Sequence, residues 1–406
     1  MEMEAKVNLP NWIDSFAPTL VWKGIIDRSS ARVPFPTTRS ESWKYTRLGR
    51  IENQDWKSSE KSNLKLDSPL QLVNGFLQVN KQVSGIEVMD SSELTVELKS
   101  RIATIWNEES VGDVFSNLCE EFATSLTAIC IDKNQHVKEH VEINIASEQT
   151  GALVVPVIYI LCEANSQVEF SLKWLNDNLG NFHLPYFIFD VKEGARFSFN
   201  MLQNAHDESV ILTRTLVLQE TNSTCSLSTI TTNANWVRNE LTFRVNGEGA
   251  ESNLVGAYFP KQGQFIDNHT CVDHKVPNCL SNELYKGVLF DNGKGVFNGK
   301  VFVRKDAQKT NAYQNNANII MSDEAQMNTK PELEIYADDV KCSHGTTTGQ
   351  FDEEALFYLR ARGFSMESAK MLLISAFTSD VVSRISNEQH RAFVLHELKN
   401  RDLITE

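Results

Sequence analysis

From residue 124 to residue 345 apolar and polar side chains alternate almost without interruption. Val141, Ile143 and Ile145 alternate with Glu142 and Asn144, and Val168, Phe170, Leu172 and Trp174 with Glu169, Ser171 and Lys173. Ala195, Phe197, Phe199 and Met201 alternate with Arg196, Ser198 and Asn200, and Leu241, Phe243 and Val245 with Thr242 and Arg244. A period of two is the signature of strands buried on one face. Residues 329–350 continue the pattern, with Leu333, Ile335 and Ala337 set against Glu332, Glu334 and Tyr336. Asp338-Asp339 then breaks the parity. Val340, Cys342 and His344 fall on one face of the extended chain, the last two about 6–7 Å apart at Cβ. Gly345 and Gly349 are expected to end that strand. Turn residues punctuate the run, as in Asn246-Gly-Glu-Gly249 and Asp291-Asn-Gly-Lys-Gly295. The pattern predicts one large all-β body: sandwich, barrel, propeller or solenoid. No repeated motif chooses among them; the unbroken length favours a solenoid.

Both flanks read differently. Residues 1–65 predict a helical and loop-rich region, in which Arg39–Leu48 (Arg-Ser-Glu-Ser-Trp-Lys-Tyr-Thr-Arg-Leu) is expected to dock Trp43 and Tyr45 onto a core. Leu72–Leu77 predicts a short strand. Val111–Phe122 predicts a helix with Val114, Phe115, Leu118 and Phe122 on one face. After the β-body, Asp352 is a suitable N-cap with Glu353 and Glu354 in the first turn. Gly363 closes that helix and Ser365 caps the next. The second helix, 366–382, carries two apolar stripes: Ala369, Leu372, Leu373, Ala376 and Phe377, then Met371, Ile374 and Val381. An arc this wide exceeds what a surface helix needs, so either the helix is buried on two sides or part of it docks a partner.

Composition narrows the classes. The chain has 406 residues, 41% of them hydrophobic, enough for a large core divided as 1–123, 124–345 and 346–406. A net charge of -14 argues against nucleic acid or an anionic membrane as partner. No apolar run approaches the ~20 residues of a membrane helix. The acidic start, Met1-Glu-Met-Glu, lacks the apolar segment of a signal peptide, so a cytoplasmic location is expected. The seven cysteines (119, 130, 162, 225, 271, 279, 342) are odd in number and scattered, which predicts free thiols.

Four constellations carry candidate chemistry. Cys342-Ser-His344 joins a soft thiol to an imidazole, ligand types suited to iron, zinc or sulfur chemistry. Two ligands do not complete a site, and taken alone the pair reads as structural. His269, Cys271, His274 and Cys279 have spacing like a zinc set, but on an extended strand i and i+2 positions do not converge. Gly293, Gly295 and Gly299 imitate a phosphate loop without its helix or its Lys-Ser/Thr and read as turn glycines. Glu332/Glu334 and Asp338/Asp339 imitate the carboxylate pairs of β-helix enzymes acting on polysaccharide. No Walker or nucleophile-elbow motif is present, so an ATP-driven role needs a separate ATPase.

The stretch Thr329-Lys-Pro-Glu-Leu-Glu-Ile-Tyr-Ala-Asp-Asp-Val-Lys-Cys-Ser-His-Gly345, with Asp352-Glu-Glu-Ala-Leu-Phe-Tyr-Leu-Arg-Ala-Arg-Gly363, resembles the SufB/SufD family of the SUF iron–sulfur cluster assembly system, in its SufD-type wording. Asp273–Cys279, Lys286-Gly, Gly295–Lys300, Asp306–Thr310, Gln314-x-Asn-x-Asn318 and Glu41-Ser-Trp-Lys-Tyr-Thr46 are similar too. The resemblance is dense over 270–380 and thin elsewhere. It implies a mainly β fold: a right-handed parallel β-helix between N- and C-terminal helical domains. It implies a non-catalytic scaffold that pairs with SufB through β-helix edges and docks the ATPase SufC through its C-terminal helices; whether the isolated chain forms a homodimer through the same edge is left open by the sequence. Met371, Ile374, Phe377 and Val381 are the expected contacts. It places His344 at the SufB interface, where iron or a nascent cluster is shared, with Cys342 as second ligand or packing residue; His274 and Cys279 are expected to be structural. Flavin goes with the assembled complex, at no residue identifiable in this chain. The competing readings are a polysaccharide-active β-helix enzyme and a zinc hydrolase built on residues 269–279.

Overall fold

The computed structural model describes residues 9–26, 33–110, 113–177 and 180–405. Consecutive strands of the alternating region do not pair with each other. Phe265–His274 pairs in parallel with Trp236–Val245 and Lys294–Val303, while Leu280–Leu289, next along the chain, pairs with Glu251–Tyr258 and Asn311–Ile320. Successive strands therefore fall alternately into a 12-stranded and a 10-stranded sheet, giving a parallel β-solenoid of about eight turns. The coil length varies. Val210 pairs with Trp236 but Lys294 with Gln326, so no fixed sequence period exists to be read.

The inward face of the alternation fills the bore. In the middle coils Phe189 lies 4.7 Å from Phe197 and 4.8 Å from Phe199 between ring centroids, and Phe187 lies 5.4 Å from Phe199. Each buried aromatic ring removes 150–250 Å² from water, about 4–6 kcal/mol before entropy is charged against it. The outward faces are covered as well. Helices α1 (Val96–Glu109) and α2 (Val114–Phe122), with the preceding N-terminal segment, pack Trp12, Trp22, Trp106 and Phe115 onto Val157, Tyr159, Ile188 and Leu212 of the 12-stranded sheet. Thr95 and Asp113 cap the two helices, accepting from the amides of Leu98 and Ser116. Helix α1 is held by Arg101, whose guanidinium grips Asp190 at 2.8 and 3.1 Å.

On the opposite face lie α3 (Glu353–Ala361), α4 (Met366–Ser383) and α5 (Glu388–Asn400). Asp352 caps α3 by accepting from the amides of Glu354 and Ala355, Gly363 follows it at φ +94°, and Ser365 caps α4, as expected. Ile374, Val381 and Val382 of α4 and Val394 and Leu398 of α5 pack on Val255, Ala257, Leu284 and Val288 of the 10-stranded sheet.

Several local expectations change. Leu72–Leu77 is two strands, Leu70–Val73 and Phe76–Val79, because Asn74 and Gly75 (φ 50° and 82°) form the left-handed turn of a hairpin. The helix expected from Val111 starts at Val114; residues 111–112 lie outside the described residues. Helix α1 has no counterpart in the sequence reading. The described part of 1–65 is mostly wrapping loop, with one α-helical turn, Gly49–Glu52, and two 3-10 segments. Trp43 docks as expected, beneath the Arg238 guanidinium at 3.7 Å, but Tyr45 stays 39% exposed. The anchor beside Trp43 is Thr46, buried and hydrogen-bonded to Asp267, which also pairs with Arg238 at 2.6 Å. Gly345 does not end a strand: Lys341–Gly349 runs through it, because Gly345 stays in the ladder opposite Asn315, and the strand ends at Gly349.

The attachment of α5 depends on an uncharged histidine. His390 is 1% exposed, has both ring nitrogens unpartnered, and faces His140 (6.4 Å between ring centroids) and Lys173. Burial, reinforced by Lys173 and His140, holds its pKa down to about 3. Below the ordinary imidazole value the unfolded chain takes up a proton that the folded one refuses, so stability is lost as pH falls from about 6.5 toward 3. Residues 385–400 are expected to become protease-sensitive at pH 4.5, and His390→Leu to suppress that sensitivity. Equal cleavage of both proteins at pH 4.5 would show that His390 is not the cause.

Candidate functional site: the open terminal coil

Gln326–Ile335 and Lys341–Gly349 form the last coil, each the edge strand of its sheet. Register shows which side chains look into the bore. In the strand Asn311–Ile320 the buried positions are Ala312, Gln314, Asn316 and Asn318, and these pair with Cys342, His344, Thr346 and Thr348. Side chains at paired positions of parallel strands stack on one face. Cys342 and His344 therefore face the same way as Ala312 and Gln314, toward the bore where it opens to solvent. Cys342 is half-buried against the small cluster of Val301, Val303, Ala312 and Ala337, and His344 is exposed. Burial pushes the Cys342 thiol above its ordinary value, partly offset by a hydrogen bond from the Ala312 amide. It stands as a thiol that a metal must deprotonate on binding.

Toward this end the bore becomes polar. Tyr258 donates to the Asn318 carbonyl at 2.6 Å and accepts from Asn316 at 3.2 Å; Asn318 reaches on to Thr348 at 3.2 Å. One row over, Gln314 Nε2 donates to Glu283 Oε2 at 2.8 Å. Gly299 leaves the space for that amide, since a Cβ there would lie 2.3 Å from Gln314 Nε2. Burial pushes the Glu283 carboxyl up to about 7 against the smaller opposing pull of Thr270 and Gln314. The sequence reading named Gln314 only within a family-like motif, with no site role, and passed over Glu283. The available signal was an alternating strand whose inward positions are Gln314, Asn316 and Asn318 rather than apolar residues.

The other constellations separate. His269 and Cys271 lie on the outward face of Phe265–His274, and His274 lies inward. His274 bonds Ser281 Oγ at 2.9 Å, with its pKa lowered to about 4 by burial, and Cys279 sits in the bore against the Gly247 and Pro277 carbonyls. The four ligands thus never converge, and among the described residues no group of three or more His, Cys, Asp or Glu side chains is placed to hold a metal. This overturns the zinc-hydrolase reading. Glu334 is paired with Lys300 at 2.5 Å, which holds its pKa down, and Glu332 with Lys330 at 3.1 Å. A carboxyl kept ionised by lysine is no general acid, so this pair loses its likeness to a glycosidase site. Of the glycines, only Gly293 sits in a turn; Gly295 and Gly299 are strand positions.

The expected docking stripe also divides. Ile374 and Val381 are 1% and 0% exposed and hold α4 to the sheet, so neither is available to a partner in this conformation. Met371 and Phe377 are half-buried, the latter beneath the Lys286 ammonium at 4.5 Å. Exposed apolar side chains lie instead on α3, which buries no residue, on the turn after it and at the first position of α4: Phe357 (76% exposed), Tyr358, Phe364 and Met366. No helix among the described residues is long and apolar enough to cross a membrane.

A helix-flanked parallel β-solenoid, open at one end and carrying a thiol and an imidazole at its mouth, is the class of protein that this geometry defines. The family model for the SufBD core domain of the SUF system of FeS cluster assembly matches residues 143–377, and the chain belongs to that family. It is 29% identical over 394 residues to the iron–sulfur cluster assembly protein SufD of Escherichia coli, covering 91% of this chain and 90% of the relative. A SufBD family protein of Synechocystis is 28% identical, covering 86% and 84%, and the chloroplastic protein ABCI7 of Arabidopsis thaliana is 26% identical, covering 88% and 81%.

Glu283 yields a pH prediction. With its folded pKa raised above the unfolded value of 4.5, the folded chain holds a proton between pH 4.5 and 7 that the unfolded chain has released. Its contribution therefore falls as pH rises through that window, and above it the buried charge costs on the order of 3 kcal/mol. In metal-free protein, Glu283→Gln is expected to raise the Tm at pH 8 and to change it little at pH 4.5. A lowered Tm at pH 8 would contradict the assignment.

Proposed function

We propose that this chain is a non-catalytic scaffold subunit for iron–sulfur cluster assembly, acting in the cytoplasm and completing its site with a second chain. The observation that carries the reading is the placement of Cys342 and His344 on an edge strand whose outer side has no neighbour, facing an open bore. Two ligands with no third among the described residues make half a site. A partner that pairs along Gln326–Ile335 and Lys341–Gly349 satisfies the free backbone groups and brings further ligands to the same place. SufB is the partner that the SufD relationship implies, and the same edge offers a second copy of the chain a self-pairing surface when SufB is absent. His344 supplies a ring nitrogen to the incoming iron or nascent cluster, and Cys342 joins it once deprotonated.

The ATPase reading now rests on α3. Phe357, Tyr358, Phe364 and Met366 are exposed apolar side chains suited to SufC, whereas Met371 and Phe377 are half-buried and Ile374 and Val381 hold α4 to the sheet. Only residues 350–352 separate α3 from the strand that bears His344. A nucleotide-driven pull on α3 is therefore transmitted over a very short tether to the terminal coil. Flavin, if carried by the assembled complex, has no assigned residue here.

Co-expression with SufB and SufC tests both halves. His344→Ala is expected to leave the complex intact and to lower its iron and sulfide content severalfold. Phe357→Glu is expected to lose SufC while SufB is retained. Unchanged iron and sulfide in the first variant would remove His344 from the site; unchanged SufC recovery in the second would remove α3 from the docking surface.

A further inference from the structure

A local reversal of charge stands on the outside of the solenoid, where the N-terminal segment crosses the 12-stranded sheet. Trp236, Phe265, Lys294 and Gln326 are register partners at the first position of four neighbouring strands, and they form one wall of an open cleft of about 960 Å³. The other wall comes from residues 44–50. Trp43 and Thr46 anchor that stretch on Arg238 and Asp267, which leaves Lys44, Tyr45 and Arg47 exposed in the cleft. Lys44, Arg47, Arg50 and Lys294 meet there against a single carboxylate, Glu324. None of the four makes an ion pair among the described residues. Arg50 is half-buried and spends its guanidinium on the backbone carbonyls of Asn235 and Gly263. Burial holds its pKa below the ordinary value with no carboxylate opposing the shift. Outward cations elsewhere on the same sheet are matched: Arg244 takes Glu109, Lys300 takes Glu334, and Lys330 takes Glu41 and Glu332. A chain of net charge -14 has carboxylates in excess, so four unpaired cations around one concavity are held together against their mutual repulsion.

We infer that this cleft binds a nucleoside phosphate. The forked guanidinium of Arg47 and the ammonium groups of Lys44 and Lys294 are donors matched to phosphate oxygens, with the charge of Arg50 behind them. A ligand with two or more negative charges is needed to balance such a cluster, and a di- or triphosphate carries them. The rest of the lining supplies flat apolar surface for a base. Tyr45 is 39% exposed, and the half-buried Phe265 ring lies stacked on Trp236 at 6.0 Å between centroids and 20° between planes. The volume falls within the range of small-molecule sites. Two enclosing walls and an aromatic lining favour a small ligand over an acidic peptide, which calls on neither. Gln326 belongs to the terminal edge strand, so an occupied cleft ties the N-terminal segment to the last coil. The inference does not rest on the assembly reading, since it uses neither Cys342 and His344 nor the exposed face of α3.

The test titrates the full chain with ADP and, separately, with inorganic pyrophosphate by isothermal calorimetry at low ionic strength and without added metal. One ADP per chain is expected, bound more tightly than pyrophosphate and more weakly as salt is raised. Arg47→Gln and Lys294→Gln alter exposed side chains and are each expected to weaken both anions about tenfold. Tyr45→Ala is expected to weaken ADP and to spare pyrophosphate. Lys330→Gln, which removes a cation already paired, is expected to change neither. Circular dichroism shows each variant folded. No saturable binding at millimolar ADP, or ADP binding that survives both Arg47→Gln and Lys294→Gln, overturns the proposal. Pyrophosphate bound as tightly as ADP also overturns it, by reducing the cleft to a site for inorganic anions. Tighter binding of a short oligoglutamate peptide at the same residues overturns it in favour of an acidic partner segment.

Discussion

A strand in a parallel ladder needs a neighbour on each side, and the last coil of this solenoid has a neighbour on one side only. Every earlier coil is sealed by the next. At the N-terminal end the sheets finish in antiparallel strands, Phe76–Val79 on one and Ile86–Asp90 on the other. At the C-terminal end Gln326–Ile335 and Lys341–Gly349 stop with their outer backbone groups unpaired. The helices do not help, since α1 and α2 cover the outside of one sheet and α4 and α5 the outside of the other. Both ends of each sheet thus have an edge, but Phe76–Val79 and Ile86–Asp90 are short, whereas the C-terminal edges are ten and nine residues long, and it is there that Cys342 and His344 lie.

In the middle coils the bore holds a cluster of phenylalanines beside a polar layer in which Gln203 bonds Thr213 and Asn239. Toward the mouth it passes to Tyr258 and Tyr285, then to Gln314, Asn316 and Asn318, and finally to Cys342, His344, Thr346 and Thr348. Polar side chains are thus not confined to the mouth, and Phe297 packs on Tyr285 close to the open end.

Much of the architecture is legible in the sequence because a strand buried on one face has to alternate. The solenoid itself is less so. Its coils differ in length, from Val210–Trp236 to Lys294–Gln326, so stacked residues such as Gln314 and His344 share no sequence period. The placement of Cys342 and His344 on one face was readable from i, i+2 spacing; that this face looks into the bore required the register with Ala312 and Gln314. The layer behind them was hidden for a simpler reason. Alternation identifies inward positions by their apolar side chains, and Glu283 and Gln314 are inward and polar. Helix α4 shows the reverse limit: its wide apolar arc was visible, but only the packed structure separates Ile374 and Val381, which hold the helix down, from the exposed Phe357 and Tyr358 next door on α3.

The account stands or falls on whether the terminal coil is an unfinished edge that a second chain completes. Backbone hydrogen exchange of Lys341–Gly349 measures this directly, on dilute isolated protein and again with SufB bound. The predicted result is fast exchange in the free chain and strong protection in the complex, with little change in the middle coils. Slow exchange in the free chain, or exchange that SufB leaves unaltered, would contradict it.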